Sequence, residues 1–592
     1  MRAKITSIME QTHLHSLINT ALGKEHADLV IANGSLLNVY TGELQPKTAV
    51  AIKGERIAYV GPEVDSAVGP QTTVLDVEGK VLIPGFIDGH NHIDNMITVA
   101  EFLRYAIPTG TTTVITETSA FGNAHGYSGV LQFIENLKDQ PILLYALTPS
   151  EVPTNPGFEG SALLLNEQID ELLKLPEVVG VGETFWARAV DADPIVLEVI
   201  DSALRSRKPI QGHSAGAKGK KLAAYAAAGV TSCHEPITAE EALERLRLGM
   251  HTMIREGSIR RDLPAIAPIK DAGIDLRRAI LVSDVVSPEE MMELGYMDYI
   301  VQRAIDLGFD PVKAIQMATL NVAEHFGLDH LIGGIAPGRY ANINVIPEIG
   351  NIRCDYVIGK GRIVAAEGRL LVQPRKDVYP KTTRSTVHLS RPFSAQDFCI
   401  PATGSGARAR AISVVRDMLT GEEQVDVEVT AGAILATPQR DVLKVAVINR
   451  QDGCAEKFVG LIRGFGLRAG AFAATISWDC YNVIVVGADE DDMALAVNRI
   501  REMQGGVVLC QGGEVLEEIP LPIAGLVSDL PLEEVARRLR RMSDRLKELG
   551  SPLSNPFLTL QTLSFTPLPF LRITEKGLLD VRQKRLVSLF LS

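Results

Sequence analysis

The pattern of apolar and polar positions changes character along the chain. From residue 27 to 83 short apolar runs are broken by Gly and Asn: Ala27 to Ala32, a turn at Asn33-Gly34, Thr48 to Ile52, a turn at Lys53-Gly54, then Arg56 to Val60. Such glycine turns between alternating residues are hairpin signals, and they predict a small β unit. The same texture returns from Gly338 through Ala341 to Ile346, then at Cys354 to Ile358, Gly359 to Gly361 and Arg362 to Ala365. Two β-rich segments bracketing a long middle predict one sandwich assembled from both flanks.

In the middle, short apolar runs that end in polar residues are each followed by a helix-length segment, the mark of βα units and a parallel sheet. Eight runs are legible: Val81 to His92, Thr111 to Glu117, Pro141 to Leu147, Val178 to Glu183, Pro209 to His213, Gly229 to His234, Met250 to Glu256 and Arg278 to Asp284. Eight units over about 250 residues is the size of a closed (β/α)8 TIM-like barrel. The expected α/β layout is an N-terminal helix with the first part of the sandwich (1–83), the barrel (84–334), the second part of the sandwich (335–375), a Pro- and Ser-containing connector (376–400) and a C-terminal α/β domain (401–592). That last region shows strand patterns at Val442 to Ile448 and Asn482 to Val486 and helices at Asp492 to Met503 and Leu532 to Leu549. Its glycine-rich stretch, Gly460 to Gly470, lacks the Gly-x4-Gly-Lys-Ser/Thr spacing of a phosphate loop.

Composition narrows the partners. A net charge of −13, from 59 basic and 72 acidic residues without a dense Lys/Arg cluster, argues against nucleic acid and anionic membranes. The six cysteines include no CxxC pair, which is the usage of a reducing compartment. Arg2, Lys4, Glu10, Lys24 and Glu25 interrupt the N-terminal apolar runs, and no later stretch is long enough to span a bilayer, so a cytoplasmic protein is expected.

Polar residues at the C-terminal ends of barrel strands read as chemistry. Five of the eight ends carry metal-type ligands. The first ends Asp88-Gly89-His90-Asn91-His92, and residues two apart on a strand share a face, so His90 and His92 can approach one cation. Glu183, His213, His234-Glu235 and Ser283-Asp284 close the fourth, fifth, sixth and eighth runs. His125, His251, His325 and His330 do not stand at clean strand ends and read as structural or surface residues.

This ordered set resembles that of the amidohydrolase superfamily, and from about residue 28 onward the chain resembles the adenine deaminases. The resemblance rests on Pro84-Gly85-Phe86-Ile87-Asp88-Gly89-His90-x-His92-Ile93, on His234-Glu235 with Thr238-Ala239-Glu240-Glu241-Ala242-Leu243, and on Met253-Ile254-Arg255-Glu256-Gly257-Ser258. It continues through Ala318-Thr319-Leu320-Asn321, Ile335-Ala336-Pro337-Gly338, Asp492 to Arg499 and Pro520 to Leu526. It implies a divalent metal, two ions per chain of Mn²⁺, Fe²⁺ or Zn²⁺, held by His90, His92, Glu183, His213, His234 and Asp284, with Glu183 bridging. Asp284 is expected to act as general base and then acid, and Glu235 to contact a ring nitrogen of a small heterocyclic substrate. Arg255, Glu256 and Ser258 are candidates for the substrate pocket, and for these three and Glu235 a helix-cap or ion-pair role is equally open. Trp186 could stack on a flat base or pack in the core. The resemblance also implies a homo-oligomer.

Three segments depart from the family's pattern. Ser283-Asp284-Val285 keeps only the first of two adjacent aspartates, Ile93-Asp94-Asn95-Met96 replaces Ile-Glu-Ser-Ser, and Trp478-Asp479-Cys480-Tyr481-Asn482 lacks two histidines. Three functions stay open: deamination of adenine or a related purine or pterin, ring-opening hydrolysis of a cyclic amide, and a catalytically silent binding module. The last predicts lost ligands, and all six ligand positions keep a metal-binding side chain.

Overall fold

The computed structural model describes residues 2–454 and 456–591. A helix, Arg2–Ala21, precedes a nine-stranded sheet drawn from both flanks of the chain. Leu29–Asn38, Glu43–Lys53, Arg56–Gly61, Thr73–Asp76 and Val81–Pro84 join Ile343–Ile346, Tyr356–Gly359, Arg362–Ala366 and Arg369–Leu370. Val81–Pro84 makes the join, parallel to Leu29–Asn38 and antiparallel to Ile343–Ile346.

The expected first barrel strand, Val81 to His92, is in fact divided at Gly85. Its first half belongs to the nine-stranded sheet and its second, Phe86–Asn91, to a parallel sheet. A Cβ on Gly85 would lie 2.2 Å from the Thr112 hydroxyl, so only glycine permits the close passage from one sheet to the other.

Phe86–Asn91, Thr111–Thr116, Leu143–Thr148, Val178–Phe185 and Ile210–His213 lie side by side in chain order, all parallel. Ser232–Cys233, His251–Arg255 and Ala279–Val282 form a second parallel group. The two groups meet at both edges. Thr231 N–H donates to the Ile210 carbonyl at 2.9 Å. On the other side Asp284 N–H donates to the His90 carbonyl at 3.0 Å, and His92 N–H to that of Asp284 at 2.9 Å. The parallel sheet therefore curls until its first and eighth strands touch.

Both faces of these strands are buried, which leaves Ala279–Val282 a continuous apolar run, while Thr111–Thr116 buries four threonines beside Val114 and Ile115. Ile87, Ile115, Leu147, Val179, Met253 and Ile280 fill one cluster, closed by Val322 and Phe326 at the helix Leu320–His325. A buried carboxylate adds a polar tie between the first and eighth strands: Asp88 accepts the backbone N–H of Ser283 at 3.3 Å and the hydroxyls of Ser283 and Tyr296. Asp88→Ala would leave the Ser283 N–H and one of the two hydroxyls, which stand 3.1 Å apart, buried without an acceptor. A loss of about 2–4 kcal/mol is expected, read as a lowered thermal unfolding midpoint. An unchanged midpoint would show that the tie contributes nothing.

Residues 400–520 supply a ten-stranded sheet, against which the helix Glu490–Met503 packs, its start fixed by Asp489 accepting the Asp492 N–H at 3.0 Å. Val527–Ser528 pairs in parallel with Met96–Ile97, which brings the C-terminal region to the rim where the first parallel strand ends. Among the described residues no helix is long and apolar enough to cross a membrane.

Candidate metal centre and active site

The curled sheet places all six expected ligands on one side, at or just beyond the ends of their strands. The four imidazoles converge on one atom of the fifth ligand. Glu183 Oε1 lies 3.5 Å from His90 Nε2, 3.7 Å from His92 Nε2, 3.5 Å from His213 Nδ1 and 3.0 Å from His234 Nε2. Asp284 Oδ1 stands 3.8 Å from His90 Nε2 and 3.6 Å from His92 Nε2. Asp284 has φ 60, a left-handed conformation that Asp tolerates better than most residues, at the point where its strand turns away.

The donor set fits a cation. His90 Nε2, both ring nitrogens of His213 and His234 Nδ1 are buried without a hydrogen-bond partner. Buried polar atoms of folded proteins nearly always have one, so this cluster of orphans points to a ligand. The state of His90 is set by its neighbour. Gln211 donates its amide N–H to the Gly89 carbonyl at 2.9 Å, which turns its Oε1 toward His90 Nδ1 at 2.8 Å. Nδ1 then carries the proton, and Nε2 keeps a lone pair facing Glu183 and Asp284. Three overlapping triads have ligand atoms within 4.8 Å of one another: His90, His92 and Asp284; His90, Glu183 and His234; His213, His234 and Glu235.

The electrostatics are those of crowded carboxylates around imidazoles. Burial works to raise Glu183, but His213 and His234 hold it well below the usual carboxylate range. Burial likewise opposes ionisation of Glu235, yet Arg255 and His213 keep it low. Against the burial that lowers it, His92 is pushed up to about 10 by Glu183 and Asp284.

Sequence reasoning passed over one carboxylate here. Glu117 is fully buried, accepts the Glu183 N–H at 3.2 Å and stands 3.6 Å from His90 Nδ1. Burial, reinforced by the Glu183 charge, raises its pKa to about 8. Its signal was available, since it closes the second apolar run just as Glu183 closes the fourth. Asp479 is a second addition. It enters the pocket from the C-terminal region, accepts the Thr154 hydroxyl at 3.2 Å, and burial with the nearby Glu183 charge raises it to about 7.

A cavity of about 70 Å³ lies over this cluster. His92, Glu183, His213, His234, Glu235, Arg255 and Asp284 form its floor, while Trp478, Asp479, Tyr481 and Phe565 wall it from the C-terminal side. Of the four residues expected to line a substrate pocket, only Arg255 reaches this one. It donates to Glu235 at 2.6 Å, to Asp262 at 3.0 Å and to Asp284 at 3.4 Å. Glu256 is its strand neighbour and so points to the other face. Ser258 accepts the Ser287 N–H at 2.6 Å and donates to Glu290 at 2.8 Å at the start of the helix Pro288–Leu294, and it lines an adjoining cavity. Trp186 donates its ring N–H to the Ala215 carbonyl at 3.0 Å and lines a separate cavity of about 370 Å³, because a helix begins at that residue and turns it off the strand. Away from this centre, His251 and His325 face each other, Nδ1 to Nδ1, at 3.2 Å.

Residues 417–585 match the adenine deaminase C-terminal domain, and residues 81–364 the amidohydrolase family. The chain is 42% identical over 581 residues to the adenine deaminase of Moorella thermoacetica, covering 97% of each chain. It is 37% identical over 582 residues to that of Clostridium botulinum, again with 97% of each covered. Among solved structures, the β-aspartyl dipeptidase of Fervidobacterium islandicum superposes with a TM-score of 0.46 at 18% identity, over 58% of this chain and 97% of its own.

Proposed function

We infer that this chain, which belongs to the adenine deaminase family of the amidohydrolases, hydrolyses the exocyclic amine of adenine or a close purine relative and releases ammonia. The observation that carries the reading is Glu183 Oε1 ringed by four imidazoles at the floor of a pocket, in a chain matching adenine deaminases along 97% of its length. Family membership favours this over ring opening or a silent barrel. The eight parallel strands are read as a closed (β/α)8 barrel, a reading supported by the contact between the first and eighth strands. The divisions at residues 83, 334, 375 and 400 complete the proposed domain layout.

His90, His92, Glu183, His213, His234 and Asp284 would hold the divalent metal, and Glu183, central among the imidazoles, would be shared if two ions bind. Imidazole and carboxylate together suit Mn²⁺, Fe²⁺ or Zn²⁺. Such a metal supplies Lewis acidity that lowers the pKa of water from 15.7 toward about 7. The protein's own side chains manage the protons and the ring. Asp284, which lines the pocket, would take the proton of the water that adds to the amine-bearing carbon and pass it to the departing nitrogen. Glu235, fixed by Arg255 at 2.6 Å, can hold a ring nitrogen and so set the orientation of the base. Trp478, Tyr481 and Phe565 exclude bulk water from above.

Stripping the protein with a chelator is expected to lower ammonia release from adenine by at least roughly a hundredfold, and adding Mn²⁺ or Fe²⁺ to restore it. Hypoxanthine and ammonia should appear in equal amounts. A protein loaded with metal that releases no ammonia from adenine or from related aminopurines overturns the assignment.

A further inference from the structure

A second cavity, of about 110 Å³, adjoins the pocket, and hydrolysis of unsubstituted adenine leaves it without an occupant. His92, Asn95, Ile259, Asp284, Val285 and Trp478 line both spaces, so the two share one wall. That wall is where the amine must stand. A carboxylate that delivers a proton to the leaving nitrogen has to lie within hydrogen-bond reach of it, and Asp284 belongs to both linings.

Beyond the wall the lining is mixed, with Asn91, Ser258, Ser287, Asn555 and Gln561 among a majority of apolar side chains. Met96, Ile97, Phe102, Leu539, Phe557 and Leu558 form much of the far side. An amino group gains nothing from apolar space, whereas an alkyl chain on the same nitrogen would transfer out of water into it. The larger cavity of about 370 Å³ meets the pocket only at His213, and Asp284 does not line it. Within the pocket lining Arg255 is buried, with its guanidinium committed to Glu235, Asp262 and Asp284.

Building on the deaminase reading, we propose that this site takes purines whose exocyclic amine carries a small alkyl group, with that group seated in the second cavity against the helix Leu532–Glu548. The chemistry is unchanged in kind. Water forms a bond to the ring carbon, the carbon–nitrogen bond breaks, the proton moves through Asp284, and an alkylamine departs in place of ammonia. An N6-alkyladenine therefore yields hypoxanthine and the alkylamine, with no oxidant or reductant required.

The experiment measures kcat/KM of the metal-loaded enzyme on adenine and on N6-methyl-, N6-ethyl- and N6-propyladenine, following hypoxanthine and the free amine. A rise of roughly fourfold per added methylene is expected until the chain outgrows the cavity. Leu539→Phe and Leu558→Phe, which narrow the far side, should each lower the propyl-to-adenine ratio by at least about tenfold. Turnover of adenine with none of the alkylated purines, or a ratio that neither variant moves, overturns the inference and leaves the deaminase reading intact. Turnover of none of the four by metal-loaded enzyme overturns that reading and this inference with it.

Discussion

Glu183→Gln is expected to lower ammonia release from adenine by roughly a thousandfold or more, together with a loss of bound metal. Its Oε1 lies within 3.0 to 3.7 Å of four imidazole nitrogens, so one carboxylate oxygen sits at the centre of the whole constellation. An amide in its place carries no charge, and one of its two ends presents N–H groups where lone pairs must converge. No neighbouring carboxylate is placed to substitute. Asp284 reaches His90 and His92 but has no contact with His213 or His234, and Glu235 reaches only the latter pair. Ammonia release and metal content measured on the same preparation check the expectation. A variant that keeps its metal and stays within tenfold of the parent rate would remove Glu183 from the bridging role.

Much of this centre is legible in the sequence because it obeys the two-residue period of a strand. His90 and His92 share a face for that reason, and Glu183, His213, His234 and Asp284 each close an apolar run. The same period explains why Arg255 faces the pocket and Glu256 does not. Trp186 was not legible on those terms: its helix, Trp186–Val190, starts at once after the strand, and the direction of its side chain depends on that turn. Glu117 closes its run as the ligands do, yet a lone carboxylate before a helix also reads as a cap, and only the fold brings it 3.6 Å from His90. The division of the first run at Gly85 depends on Thr112, a contact between two strands that a local pattern cannot carry. Trp478, Asp479 and Phe565 reach the pocket from more than a hundred residues beyond the last parallel strand. The segment at 478–482 drew attention through its departure from the family pattern, while Phe565 gave no sign in the sequence.

Replacing Arg255 by Met should combine a large loss of stability with a loss of activity, for one electrostatic reason. The guanidinium is 4% exposed and meets three carboxylates, Glu235 at 2.6 Å, Asp262 at 2.9 Å and Asp284 at 3.4 Å. Its effect on them is uneven: Glu235 is held well below the usual range against its burial, whereas burial leaves Asp262 above that range despite the same partner. Methionine fills similar space without the charge, so the carboxylates would remain buried and uncompensated. Breaking a buried ion pair from one side costs about 3–5 kcal/mol. The measurement is the thermal midpoint of the metal-free and metal-loaded variant beside the parent, with kcat/KM on adenine. The deficit should be largest without metal, because a bound cation offsets part of the exposed negative charge. Arg255→Lys should recover only part of the loss, since one ammonium cannot satisfy three carboxylates spread around a planar fork. A methionine variant that unfolds with the parent and keeps its kcat/KM would mean that Glu235 and Asp284 need no cation between them, and that the orientation of the base is set by some other group.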